Sequence, residues 1–479
     1  LAAETIPDNL LDYFHLVGEQ EEGQGSIPAG DFLESASVIA ERLETARFTD
    51  RQGFIDDLFS DREASWRKVL DAEELQGKAL DGDTFVQVLE RLQSDKRRLE
   101  DLAWLEALSR RLTHVQIGKL EATFRVQEQL NQQISHESLP LTERAQAGRV
   151  LGQFADHRKG VTVIRNADGI PLEQTNDGRK YSLPDIDWVE IPPIQGFMMG
   201  MDDEDAYDDE KPAHPVDVDA FSISRYPITN AQFRCFIEAG GYKKQQYWQT
   251  KAARYWLEGG ASDDKLIADY PKKRQDSIRQ GLGKDTKRFA PCFWNNHKWN
   301  TPNHPVVGVS WFEALAFCCW LAEVEGKSVR LPSEEEWEYA VRGVKGLKYA
   351  WGDEFSKEQG NTGETGLERT SAVGLFSQGK AVGPRAEEFG LSDMSGNVWE
   401  WTVNRWGKDF EKPEFTYADW QKQGKKERED LNINELRVIR GGSWDNIPDF
   451  ARCSFRYRFN PDLRYDNIGF RVVFSLADF

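Results

Sequence analysis

The last segment of the chain sets the tightest constraint on what it can be. It opens on Arg437-Val-Ile-Arg-Gly-Gly-Ser-Trp444 and closes on Asn467-Ile-Gly-Phe-Arg-Val-Val473. Gly441 and Gly442 permit tight backbone geometry, and Ile468, Phe470 and Val472 alternate as in a half-buried strand. Between the flanks lie Phe450, Phe455, Tyr457, Phe459, Leu463 and Tyr465, set among Asp, Asn, Arg and Pro. From Asp445 onward there is no Glu, Lys, Gln, Met or Trp. Average composition would put about eight of those residues there. A codon ending in C or T encodes none of the five, so Asn-type codons with their first two letters randomised would read like this stretch. The alternative is an aromatic core strand of chance composition.

The totals narrow the function classes. The 479 residues leave room for about two or three domains and an ample core. With 61 basic against 81 acidic residues the net charge is −20, which argues against nucleic acid and anionic membranes as partners. No apolar run reaches the roughly 18 residues of a transmembrane helix, and no signal peptide opens the sequence. Five sparse cysteines (Cys235, Cys292, Cys318, Cys319, Cys453) read as reduced thiols, so a cytoplasmic location is expected.

Taken in order, residues 1–165 read as an all-α N-terminal domain. Helical stretches are expected over 30–43 and 51–75. Phe85, Leu89, Leu92, Leu99, Leu102, Leu105 and Leu112 then recur mostly at three- and four-residue steps, giving one apolar face that continues through Leu120, Phe124 and Leu130. Thr142 could cap a short helix ending near Phe154. This domain carries no chemical motif; docking a partner protein and plain packing both stay open. Residues 166–184, with Asp-Gly and Asn-Asp-Gly turns, are expected to be a linker. From 185 to 479 the texture changes to short strands, turns and scattered Trp. Ser333 can cap a helix with Glu334, Glu335 and Glu336 in its first turn, and residues 311–321 read as an amphipathic helix with Cys318 and Cys319 as core thiols. Asp202 to Glu210 is expected to be a solvated acidic loop.

Several motifs in this half carry a resemblance. They are Gly196-Phe-Met-Met-Gly200, Glu210-Lys-Pro-Ala-His-Pro-Val216, Tyr226-Pro-Ile-Thr-Asn-Ala-Gln-Phe233 and His304-Pro-Val-Val-Gly-Val-Ser-Trp311. Arg330-Leu-Pro-Ser-Glu-Glu-Glu-Trp337, Tyr349-Ala-Trp-Gly352 and Gly396-Asn-Val-Trp-Glu-Trp401 follow in order, before the two flanks of the last segment. Together they resemble the formylglycine-generating enzyme (sulfatase-modifying factor) family. The resemblance implies an α+β fold class: a C-type-lectin-like C-terminal domain, here preceded by the all-α N-terminal domain.

It also implies where chemistry would sit. Oxidase members of the family place a cysteine pair in the final segment, suited to copper(I). This chain has only Cys453 there. A sulfoxide-forming branch holds non-haem iron with a His-x3-His pair, and the seven histidines (15, 114, 136, 157, 214, 297, 304) never show that spacing. Neither copper nor iron is therefore expected, and the chain is expected not to be an enzyme. His214 and His304, each before Pro in a family motif, read as structural. A structural calcium ion is the favoured cofactor. By position, Asp393 and Glu400 would supply carboxylate oxygens and Gly396 and Val398 carbonyls, and Asn361 would serve a second site.

The fixed frame around a biased insert also resembles the variable proteins of diversity-generating retroelements of bacteria and phages. That resemblance implies a receptor-type protein displaying a diversified surface, with a metal-dependent oxidase as the alternative. The residues implied to vary and to bind are Asp445, Asn446, Ile447, Asp449, Phe450 and Phe455. Tyr457, Phe459, Asn460, Leu463, Tyr465 and Asp466 complete the set. Arg452, Arg456, Arg458 and Pro461 read as frame. Phe455, Tyr457 and Phe459 would share one side of an extended strand, with Arg456 and Arg458 on the other. Buried, the rings would be core. Exposed, they would form a patch of the kind enriched at protein interfaces. The resemblance places the segment at the surface, so exposure is expected, with a protein as ligand.

Overall fold

Helices lead the described part of the chain: α1 (Leu102–Ser109), α2 (Glu121–Ser135) and α3 (Leu141–Gln153). The structure is a computed structural model that describes residues 102–109, 121–136, 138–166, 169–260, 288–376, 390–422 and 424–476, with the single residues 55, 59, 88 and 91. It divides into two units, Leu1–Val69 and Leu70–Phe479. In the first, the described Ile55 and Phe59 are buried, and the Phe59 amide donates to the Ile55 carbonyl at 3.1 Å. The helix expected over 30–43 lies outside the described residues, as does nearly all of that over 51–75. The division into compact units thus falls at 69/70. Everything that follows concerns the second unit.

The apolar stripe read from the sequence is real where the chain is described. Trp104, Leu105 and Leu108 of α1 and Leu130 and Ile134 of α2 are fully or nearly fully buried. Helix α3 begins one residue before the expected cap. Pro140 occupies the N-cap position with no side-chain bond, and Thr142 sits inside the first turn. Proline preset in extended backbone ends the preceding loop by sterics, which leaves Thr142 no capping role. Two glycines let α3 lie directly on the downstream chain. A Cβ at Gly148 would stand 2.9 Å from the Ala372 side chain, and one at Gly152 would stand 2.4 Å from Asn303 Oδ1. Asn303 Nδ2 then donates to the Gly148 carbonyl at 2.8 Å.

The expected linker is a hairpin, β1 (Glu173–Asn176) and β2 (Arg179–Ser182), paired Asn176 to Arg179. Its turn residues Asp177 and Gly178 both have positive φ, 51° and 75°. That is the two-residue turn whose twist matches paired strands. The next strands are β3 (Trp188–Ile191), β4 (Ile194–Met199), β5 (His214–Val218) and β6 (Phe221–Ser224), followed by α4 (Asn230–Glu238) and α5 (Lys251–Leu257). Then come α6 (Trp311–Glu325), β7 (Val329–Arg330), α7 (Glu334–Arg342), β8 (Trp399–Gly407), α8 (Lys425–Arg428) and β9 (Leu436–Arg440). The short strands β10 (Arg456–Phe459), β11 (Ile468–Gly469) and β12 (Val473–Ser475) close the chain.

Two four-stranded sheets result, β10-β9-β8-β11 and β3-β6-β12-β7, with β4 and β5 forming a separate pair. The caps that start the helices were legible. Thr229 with Gln232, Ser310 with Glu313 and Ser333 with Glu336 each make a reciprocal capping box. Helix α6 departs from the amphipathic reading. From Trp311 to Leu321 every residue is buried except the half-buried Cys319, as in a helix apolar all round. Its aromatic neighbours dominate one core cluster. Phe317 stacks on Phe233 at 5.5 Å and meets Phe470 edge-on at 5.4 Å.

The stretch from Ile468 to Val473, expected as one half-buried strand, instead bridges both sheets. Ile468 and Gly469 pair in parallel with Trp399 and Glu400, whereas Val473 pairs with Ile223 and Arg330. All six residues are buried. Arg471 crosses this seam. It donates to Glu400 at 2.6 and 2.7 Å, to the Ser224 carbonyl at 3.0 Å and to the Ser392 carbonyl at 3.0 Å. The mixed fold expected from the sequence is the one observed, with helices ahead of an α+β body. Replacing Arg471 by Met should strand the Glu400 charge and cost about 3–5 kcal/mol, read as a lowered urea midpoint with an unchanged slope.

Candidate functional site

The last segment is held from behind by charges. Arg452 makes two bonds of 2.8 Å to Glu210, and Ser454 Oγ donates to the same carboxylate at 2.6 Å. Arg456 grips Glu334 at 3.0 and 2.7 Å. Arg440, on the neighbouring strand β9, bonds Glu338 and lies 3.5 Å from Glu334. All these arginine and glutamate side chains have no exposed surface. The acidic run expected to be solvated therefore ends in a fully buried glutamate, because Glu210 is the counter-ion of Arg452. Asp209 beside it lies 3.8 Å from Arg458. Burial opposes ionisation of Glu338, but Arg440 and Arg342 outweigh it and hold its carboxyl below the ordinary value.

With the arginines fixed, the aromatic residues face the other way. Phe450 stacks on Phe455 at 4.7 Å, and Trp399 stacks on Tyr457 at 5.9 Å. Phe459 meets Tyr457 at 5.5 Å and Tyr465 at 5.2 Å. Trp399, Phe450, Tyr457, Phe459 and Tyr465 wall a cleft of about 260 Å³. Its remaining lining is Asp445, Asn446, Asp466 and Asn467. Asn467 Nδ2 donates to both carboxylate oxygens of Asp445 at 3.0 and 3.2 Å, and Ser443 Oγ lies 2.6 Å from Asp445 Oδ1. Burial, reinforced by Asp445, raises the Asp466 carboxyl above its ordinary value.

Seven of the twelve residues expected to vary line this one cleft: Asp445, Asn446, Phe450, Tyr457, Phe459, Tyr465 and Asp466. Ile447, at 54% exposure, and the exposed Asp449 lie on the adjoining turn. Phe455, Asn460 and Leu463 are buried and do not reach the cleft. The expected exposure of the aromatic stripe is thus corrected. Phe455 is 5% and Phe459 8% exposed, and Tyr457 is half-buried. Strand β10 sits at the edge of its sheet, but Trp399, Tyr207 and Phe410 pack against its rings and withdraw them from solvent. Trp399 and Asn467 were missed as lining residues because each sits in a motif that reads as frame. The aromatic repeat Trp399-x-Trp401 on β8 was the available signal.

The expected calcium residues do not make a cation site. Both Glu400 oxygens are taken by Arg471, and Trp337 Nε1 donates to one of them at 2.7 Å. Asn361 Oδ1 accepts from Thr365, and the Gly396 carbonyl accepts from the Val398 amide at 3.0 Å. Asp393 is half-buried, and desolvation pushes its carboxyl up to about 6; its oxygens accept from the Gly374 amide at 2.7 Å and from Asn397 at 3.3 Å. Among the described residues no group of three or more His, Cys, Asp or Glu could hold a metal ion. This donor set, with its one compensated glutamate, does not fit calcium. Cys453 is buried in a different core cluster from Cys318, and burial pushes its thiol up to about 12. His214 and His304 are buried and hydrogen-bonded to Pro212 and Thr370, with burial lowering both pKa values. No described helix is long and apolar enough to cross a membrane.

Comparison with known proteins identifies the domain. The family model described as the sulfatase-modifying factor enzyme 1-like domain matches residues 189–476. Hercynine oxygenase of Mycolicibacterium thermoresistibile is 32% identical over 58% of this chain, and the match spans 57% of that protein's length. The inactive C-alpha-formylglycine-generating enzyme 2 of Bos taurus is 30% identical over 60% of this chain and 88% of its own. Treponema denticola variable protein 1 aligns in structure at 16% identity with a TM-score of 0.36, covering 61% of this chain and 98% of that one. The expectation that the chain is not an enzyme is overturned by these relatives, since a protein matched at 32% identity carries an oxygenase's name. A missing cysteine pair and a missing His-x3-His spacing do not place a chain outside the catalytic members.

The charge lattice gives a test with a defined sign. Glu338, held below its ordinary 4.5, contributes stability that is present above that value and is lost as pH falls through its lowered pKa. Glu338→Gln should therefore unfold at lower urea than the parent at pH 7, and the gap should close as pH drops below 4.5.

Proposed function

The chain belongs to the sulfatase-modifying factor enzyme 1-like family, and on that premise we propose that its last segment is a ligand-binding surface of changeable composition. In this reading the protein is a receptor-type variable protein of a diversity-generating retroelement, with a protein as its ligand. One observation carries the proposal. Seven of the twelve positions read as changeable line one cleft, while Arg452 and Arg456 between them are locked in buried ion pairs. Segregation of that kind lets side chains in the cleft change without unpairing a buried charge. Aromatic walls with a few convergent polar groups are the usual make-up of a binding cleft.

A second reading, an oxidation carried out in the same domain, draws support from the hercynine oxygenase match. It calls for a bound redox metal and oxygen uptake on addition of substrate. Among the described residues the chain offers no metal-ligand cluster, so the metal would have to be held elsewhere.

DNA sequence around the gene tests the first reading. The expected result is a near-copy of the codons for Arg437 to Val473 beside a reverse transcriptase gene, differing mainly at adenines, with the mismatches at the cleft residues. A segment identical in every cell of a population, with no repeat nearby, would overturn it. Metal analysis and an oxygen electrode address the second reading: stoichiometric copper or iron with substrate-dependent uptake would establish it, and their absence from freshly isolated protein would remove it.

A further inference from the structure

Helix α6 brings two adjacent thiols to one pocket, and we infer that Cys318 and Cys319 form a binding site for trivalent arsenic, as arsenous acid or an organic arsenous acid. The sequence pattern marks both as core thiols. Cys318 is one, at 2% exposure, but Cys319 is half-buried. Both line a pocket of about 490 Å³, well away in sequence from the last segment. Leu315 and Ala322 of the same helix, Val329 of β7 and Leu431 give the pocket an apolar wall. The two thiols sense each other, since charge on Cys319 opposes ionisation of Cys318.

Adjacent cysteines inside a helix do not oxidise to each other. Consecutive Cα atoms stand about 3.8 Å apart, below the roughly 4.4 Å at which disulfide geometry begins. An atom set between the sulfurs lengthens the bridge and relieves that conflict. Thiol sulfur is a soft ligand that selects soft centres, arsenic(III) among them. Charge points the same way. Burial pushes the Cys319 thiol up to about 11 and raises that of Cys318 as well. Both stay protonated near neutral pH, which slows reactions that need a thiolate. A soft metal cation would have to displace both protons against those raised values. Condensation with an arsenous acid leaves no charge behind. Two As–O bonds break, two As–S bonds form, and each thiol proton leaves with a hydroxide as water; no electron changes hands. The half-buried Cys319 offers the first sulfur, and Cys318 closes the ring. The third arsenic substituent has the apolar wall for contact.

Phenylarsine oxide titrated into the freshly reduced full chain provides the test, because its phenyl group leaves arsenic two positions for sulfur. The expected result is one equivalent bound, with Cys318 and Cys319 of the five cysteines protected from alkylation. Circular dichroism should not change at saturation, and an excess of a small dithiol should release the arsenical. Cys319→Ser and Cys318→Ala should each weaken binding about a hundredfold or more, since a single As–S bond loses the effective concentration of the second. Cys319→Ser, at the half-buried position, keeps the test open should Cys318→Ala unfold. Cys292→Ser should bind as the parent does. Equal affinity in the parent and in Cys319→Ser, protection of a different pair, or loss of the helical signal on binding would each overturn the site.

Discussion

Helix α7 carries four buried glutamates, and the arginines that answer them hold the domain together. Glu334 meets Arg456 and Arg440, Glu335 meets Arg428, Glu336 meets Arg330, and Glu338 meets Arg440 and Arg342. These arginines come from β10, β9, α8 and β7, and from α7 itself, so one helix fixes the position of four other elements. Four carboxylates taken from water would each cost several kcal/mol if left alone. The guanidinium fork, which stays charged when buried and bonds both carboxylate oxygens, offsets that cost with defined geometry. Such pairs add little to stability over an apolar core, but a wrong register would leave charges unpaired. They specify a position more than they strengthen it.

That division of labour explains how the last segment is anchored on one side and lines a cleft on the other. Its anchors are Arg452 and Arg456, reaching backwards into Glu210 and Glu334. Its rings turn toward Trp399 and surround a cleft. A ring exchanged in the cleft alters contact and volume locally. An arginine exchanged behind it strands a glutamate. Along β10 itself Arg456 and Arg458 alternate with Tyr457 and Phe459, so a period of two sets the charged side chains against the cleft rings.

The resemblance between this chain and catalytic relatives needs the same care. The fold they share places loops and short strands around a common core, and the site chemistry is set by a few side chains on it. Here the glutamate that might have served a cation, Glu400, is neutralised by Arg471 at the seam of the two sheets. A charge used for architecture is not available for a ligand.

How much was legible depends on how far apart the cooperating residues lie. Local signals were reliable. Ser333, Ser310 and Thr229 cap their helices, and the Asp-Gly turn makes a hairpin, because cap and turn bonds span three or four residues. The family motifs could also be read from the sequence. Burial could not. Phe455, just ahead of β10, reads as part of an exposed patch until Tyr207 and Trp399, some 250 and 60 residues away in sequence, are seen to cover it. Nor could the partners of Glu210 and Glu400, which are arginines far away in sequence. The sequence by itself determined the residue types, their alternation and the helix starts. Only the tertiary structure decided which charges cancel and which rings remain open, because both depend on neighbours brought together by packing and not by order along the chain.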